Sequence, residues 1–309
     1  MEQNKYLMIT SDDYGYSDTR DDGILECFKS GAITGAAAIV NGVSIESGVA
    51  KAKLCGMPLT LHLNLTEGHP VGSNYTTLTN KHGSLLGKMG FQEAISRNSI
   101  SGQEIRDEIQ SQIDRFTQLT NYKPPKVDGH QHAHVAPGVA EIYADVLHHN
   151  GIGMTRLPIE TEAEDSARSE FLKTIVIQSM AASVTCQEKK IWSPNFAGLD
   201  TMGNNMTLPR LQQSVLKAFQ RSSPTQEVSI AVSHRPASFR EPPADQFCEL
   251  MVHPGYKTGE SGGCGDGPDD FSRSGDREHE MRILMSQDMK DFWAKQDIKL
   301  ISFKDITFI

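Results

Sequence analysis

The chain has 309 residues, 38% hydrophobic and 22% charged, enough for one large α/β domain or two smaller ones around a sizeable core. Thirty basic against 39 acidic residues leave a net charge of −9, which offers no basic patch for nucleic acid or an anionic membrane. Five widely spaced cysteines without a CxxC favour reduced thiols, and no apolar stretch suits a signal peptide or a bilayer span, so a cytoplasmic protein is expected.

Tyr6–Ile9 is a short apolar run that predicts a buried strand, ending in Thr10-Ser11-Asp12-Asp13-Tyr14-Gly15. Ser17, Asp18 or Thr19 then caps a helix that closes at Gly31. Ala36–Val40 predicts a second strand. Leu59–Thr66 alternates, with leucines on one face and Thr60, His62, Asn64 and Thr66 on the other, so one face packs and the other carries polar chemistry. Gly68–Gly90 is expected to be a surface excursion. Ser101-Gly102-Gln103-Glu104 fits a capping box, and Ile105, Ile109, Ile113, Phe116 and Leu119 follow at helical spacing.

Next comes Val127-Asp128-Gly129-His130-Gln131-His132-Ala133-His134, with prolines before and after it. Read as extended, it points Asp128, His130, His132 and His134 the same way. Val139–Asn150 predicts a helix, and Thr155–Pro158 a strand end. Glu160–Asn205 is partly helical, with Ile191–Leu199 extended. Leu208–Gln220 predicts a helix, Glu249–His253 a strand, Glu278–Lys295 one long helix and Ile298–Phe303 a last strand. Strand and helix alternate without a repeat or a linker, which favours a parallel sheet with helices outside, open or closed into a barrel, in a single domain over residues 1–309.

Functional side chains in such folds gather at the carboxyl ends of strands. Asp12, Asp13, His62, His130, Arg156 and His253 all fall there. Each has a bland explanation, as turn former, core histidine or surface cation, but the coincidence of all six favours one metal site. Asp plus two His leaves open positions for water and substrate, and a second carboxylate can serve as general base. The adjacent Asp12 and Asp13 can divide those jobs, since neighbouring residues are not expected to aim at one point.

The ordered set Ser11-Asp12-Asp13-Tyr14-Gly15, Val40-Asn41-Gly42, Leu61-His62-Leu63-Asn64-Leu65-Thr66-Glu67-Gly68, Asp128–His134, Arg156-Leu157-Pro158 and His253-Pro254-Gly255-Tyr256 resembles the YdjC-like carbohydrate deacetylase family from about residue 6 onward. Leu86–Phe91 and Gly262–Pro268 look like its animal-type members. The resemblance implies a distorted (β/α) barrel with parallel strands and outer helices, related to the polysaccharide deacetylases. It implies hydrolysis of an N-acetyl group from an acetylated sugar or oligosaccharide. It assigns Asp13, His62 and His130 as metal ligands, Asp12 as general base, His253 as general acid and Arg156 as the arginine that orients the base. It implies Mg²⁺, whereas Asp with two His suits Zn²⁺ or another transition metal at least as well. Partners expected are the acetylated carbohydrate and, left open, a second copy in a homodimer.

Gly259–Pro268 lacks Gly-Lys-Ser/Thr and is expected to be a flexible loop or lid rather than a phosphate cradle. Trp192 and Trp293 are candidates to stack on sugar, Trp293 being the better core residue. Rival functions are a metal-dependent phosphoesterase or amidase, or an inactive carbohydrate-binding protein on the same scaffold.

Overall fold

The computed structural model describes residues 4–160, 168–225, 230–232 and 245–308. Strand β1 (Lys5–Tyr14) carries the Tyr6–Ile9 run and is buried from Tyr6 onward. An apolar strand covered on both faces belongs at the centre of a parallel sheet. Ser17 caps α1 (Asp18–Lys29) by accepting from the Arg20 amide, and Gly31 follows it at φ 76°. Then come β2 (Gly35–Ala38), α2 (Ile45–Cys55), β3 (Leu59–Leu63), α3 (Gly87–Ser96), α4 (Gly102–Thr120) and β4 (Val127–Gly129). After a 3₁₀ turn over His130–Val135 the chain continues through α5 (Val139–Asn150), α6 (Glu170–Glu188), β5 (Asn195–Ala197), α7 (Leu208–Gln220) and β6 (Ile230–Val232). It closes with β7 (Gln246–Val252), α8 (Asp270–Arg273), α9 (Asp276–Leu284), α10 (Gln287–Lys295), β8 (Ile298–Leu300) and β9 (Ile306–Phe308).

The main sheet runs β4-β3-β2-β1-β7-β5 with every neighbouring pair parallel. One edge of β1 is shared: β2 takes Thr10–Tyr14 and β8 takes Lys5–Leu7. The sheet curls into a half-barrel with helices outside, which is the expected distorted barrel of parallel strands. Its core joins Leu7 and Ile9 to Leu61, Leu63, Ile109, Tyr143 and Leu250. Among the described residues, no helix is long and apolar enough to cross a membrane.

Several local expectations need correction. Ser101 caps α4 without a side-chain bond. Glu104 instead turns outward and accepts from the amides of Thr76, Thr77 and Leu78, pinning the 68–90 excursion to the helix. The histidine stretch is a strand only to Gly129. Gln131 and His132 take φ of 51° and 58°, so the side chains fan out instead of sharing one face. Met154 and Thr155 each make one isolated bridge, to Trp192 and Val127, rather than a strand. The closing helix is broken, because Ser286 accepts from the Met289 amide and starts α10 afresh. Of the Glu160–Asn205 stretch, 161–167 lie outside the described residues. The antiparallel pair β6–β9 was not anticipated.

Candidate metal centre

The carboxyl ends of β1, β3, β4 and β7 meet over one cavity of about 400 Å³. At the end of β1 the register with β2 slips between Ser11 and Tyr14, and Asp13 sits at φ 63°. Successive strand side chains ordinarily point to opposite faces. The bulge undoes that alternation. Asp12 Oδ2 and Asp13 Oδ1 both come near His62 Nε2, at 3.8 and 3.4 Å. The expectation that neighbouring aspartates cannot converge is therefore wrong here.

Asp13, His62 and His130 present donor atoms that all lie within 4.8 Å of one another, as a buried group. His130 Nδ1 is 3.0 Å from Asp13 Oδ1. The far nitrogen of each imidazole is held by a carboxylate. His62 Nδ1 donates to Asp128 at 2.6 Å, a consequence of the parallel register that sets His62 beside Asp128. His130 Nε2 donates to Glu67 at 2.9 Å, and Glu67 also accepts from Tyr16 Oη at 2.8 Å. Carboxylates behind histidines fix the tautomer and turn the free nitrogen toward a metal.

A second buried group, Asp12, His62 and Asp128, also brings its donor atoms within 4.8 Å of one another. It suits a cation poorly. Asp128 already faces Lys126 Nζ at 2.5 Å and Arg156 Nη2 at 3.1 Å. Asp12 takes both arms of Arg156, at 2.6 and 2.7 Å.

Charge balance gives an independent test of fit. Asp12, Asp13, Glu67, Asp128 and Glu249 cluster here with Arg20, Lys126 and Arg156. Five carboxylates against three cations leave two negative charges, the deficit one divalent cation fills. Two protonated imidazoles fill it too. Burial lowers the pKa of His62, but Asp12 and Asp128 carry it up to about 9. His130, buried as well, is carried up to about 10 by Asp13 and Glu67. Burial opposes ionisation of Asp13, yet the His130 and His62 bonds hold its carboxyl well below the usual range. The donor set and its charge thus fit a divalent metal.

Asp12 is different. Burial raises its pKa above the ordinary carboxylate value in spite of Arg156. A carboxylate with raised pKa, fixed in plane by a bidentate guanidinium, is suited to accept a proton. His253 Nε2 lies 4.0 Å from Asp12 Oδ2. The His253 amide donates to Glu280 at 2.6 Å and its carbonyl accepts from Arg277 at 2.7 Å, which fixes the backbone that presents the ring. Burial and the Arg277 guanidinium push the imidazole well below its usual range, so it rests neutral.

All six residues picked out by sequence thus converge on one place. His134 does not: its Nε2 donates to the Arg156 carbonyl at 2.7 Å, a structural fastener. His132 lines the cavity beside Gln131. Trp192 is buried against Phe247 and Trp293 packs in the core, so neither lines the cavity, whose aromatic walls are Phe171 and Phe271. The Gly259–Pro268 loop is tied down: Gly263 donates to Tyr16 and accepts from Val43, and Cys264 accepts from His69. That argues against a free lid. Glu67, Lys126 and Glu249 were missed. Glu249 carried a signal, a lone charge inside the apolar run Phe247–Val252. Glu67 stood in a quoted motif without a role, because its partner His130 is 63 residues away.

The YdjC-like protein family model matches residues 6–295. The chain is similar to a carbohydrate deacetylase of Danio rerio, 38% identical over 308 residues and covering 97% of each. It is 34% identical to a carbohydrate deacetylase of Homo sapiens over 97% of this chain and 90% of that one. A chitooligosaccharide deacetylase of Serratia marcescens matches 54% of this chain at 31% identity. A crystal structure of a protein from Enterococcus faecalis V583 superposes with a TM-score of 0.67, covering 97% of this chain and 98% of that one, at 18% identity, a likeness of fold alone.

Proposed function

The chain belongs to the YdjC-like family, and on that premise we propose that it is a metal-dependent carbohydrate deacetylase: it hydrolyses the N-acetyl group of an acetylated sugar or oligosaccharide, releasing acetate and a free amine. The observation that carries this reading is the pair of carboxylate-backed imidazoles meeting Asp13 beside an arginine-clamped Asp12. The names of the animal and bacterial relatives support it.

Asp13, His62 and His130 would hold the cation, Mg²⁺ or a transition ion such as Zn²⁺. When bound, it supplies a Lewis acid and lowers the pKa of water. Asp12 accepts a proton from the attacking water while Arg156 keeps its oxygens aimed. His253 protonates the leaving nitrogen. Because that imidazole rests neutral, it must take up a proton before it can give one, and Asp12, whose Oδ2 lies 4.0 Å from His253 Nε2, is placed to supply the one it has accepted once substrate draws the two groups together. Phe171 and Phe271 give the sugar apolar surfaces to lie on, and aromatic faces suit the C–H side of a pyranose. The same reading treats residues 1–309 as one catalytic domain of the cytoplasm, where five unpaired cysteines remain thiols.

The test is acetate release from a panel of N-acetylated sugars and short oligosaccharides, with chelator-stripped protein as control. Acetate formed only after a divalent metal is restored is the expected result. Sugar binding without acetate, under any divalent metal, would replace the enzyme by a binding protein on the same scaffold.

A further inference from the structure

Helix α6 is apolar on two sides. Its inner face, Ile175, Val176, Ser179, Ala182 and Cys186, is buried, and it packs on α5 and the His130–Val135 turn. The outer face should be polar, yet Ile177, Met180 and Val184 are 68%, 52% and 59% exposed, and Ala181 between them is exposed too. At the helical repeat of about 100° per residue these four fall in one stripe about 100° wide. Single exposed apolar residues are ordinary, but a contiguous set at helical spacing marks an interaction face.

The ends of the same stripe identify the occupant. Going toward the N-terminus it continues through Lys173 and Glu170, and toward the C-terminus it reaches Glu188. Lys173 makes an intrahelical pair with Glu170 at 2.8 Å. Glu188 is exposed and makes no ion pair among the described residues. The pattern is self-complementary when reversed about the point between Met180 and Ala181. A second α6 laid antiparallel there sets Ile177 opposite the partner's Val184, Met180 opposite the partner's Ala181, and Lys173 opposite the partner's Glu188, each contact occurring twice. Moving the crossing point one and a half residues toward the N-terminus would set Glu170 against the partner's Glu188. A parallel arrangement would place every charge beside its own kind. The small Ala181 at the crossing lets two helices approach to about 8–10 Å.

We propose that α6 is a self-association surface, through which two copies of this chain form a dimer about a twofold axis with the two helices antiparallel. An isologous contact of this kind closes on itself and stops at two. The dimer also has a bearing on the site, because the N-terminus of α6 brings Phe171 and Leu172 to the cavity wall.

Sedimentation of the full-length, metal-loaded protein over a range of concentrations tests this. A reversible dimer is expected. Met180→Lys, which buries an ammonium in the contact, should weaken dimerisation about tenfold or more. Lys173→Glu and Glu188→Lys should each weaken it, since each sets like charges opposite one another twice, and the double variant should restore it. Leu54→Lys, at a side chain 89% exposed on α2, should leave it unchanged. Circular dichroism and metal content report whether each variant is folded. A monomer at every concentration overturns the proposal. So does a dimer indifferent to Met180→Lys, or a double charge reversal that fails to rescue.

Discussion

At the scale of single residues, Asp12 and Asp13 are adjacent yet face opposite electrostatic partners: Arg156 grips Asp12, whereas His62 and His130 surround Asp13. Asp12→Asn should therefore keep metal affinity while turnover falls by about 10²–10⁴, the usual cost of losing a general base. Metal titration of the variant beside its kinetics checks this, and loss of both would make Asp12 a ligand. His253 invites a different comparison. The departing amine must gain a proton, whereas the leaving group of an activated acetate ester needs none. His253→Ala should cut hydrolysis of an N-acetyl sugar strongly and that of the ester much less, and equal losses would reassign it to oxyanion stabilisation or substrate positioning. These residues were legible because each ends a strand or an apolar run. Glu67 and Lys126 were not, since their importance lies in partners 63 and 123 residues away that only the fold brings near.

At the scale of elements, periodicity and caps announced α1, α5 and α7 almost to their ends, because capping acts locally, whereas β1 runs five residues past the apolar run Tyr6–Ile9 and β7 starts three residues before Glu249. What failed was whatever depended on a distant partner or a kink. The His130–Val135 turn has the composition of a strand but reverses through two left-handed residues. The capping-box pattern at Ser101 was real in sequence, yet Glu104 found three loop amides that outcompete one cap. That diversion has a measurable result. Burial slightly opposes its ionisation, but the Thr76, Thr77 and Leu78 donors bring Glu104 down to about 2, below its ordinary 4.5. A depressed carboxylate contributes stability that is present above the ordinary value and lost as pH falls through the lower one. Hydrogen exchange should find the Thr76, Thr77 and Leu78 amides protected down to roughly pH 4.5 and released progressively below it. Glu104→Gln should release them at neutral pH while the amides of β1 keep their protection. Unchanged protection in the variant would show that the loop is held by its own packing.

At the scale of the whole molecule, the cluster of five carboxylates and three cations ties β1, β3, β4 and β7 together. A ligand that binds only the folded state stabilises it by about 4 kcal/mol when present at a thousand times its Kd. Saturating divalent metal should raise the melting temperature by several degrees, and His62→Ala should abolish that rise. A rise that survives His62→Ala would place the ion elsewhere. The position of β1 has a further consequence, for how the chain is made. Residues 5–14 are made well before two of their three hydrogen-bonding neighbours, for β2 follows at once but residues 246–252 and 298–300 come late. At translation speeds of about 5–20 residues per second, this buried central strand waits on the order of tens of seconds for β7 and β8. Nascent chains halted between β2 and β7 should therefore present that strand to chaperones, and the same chains extended past β8 should not.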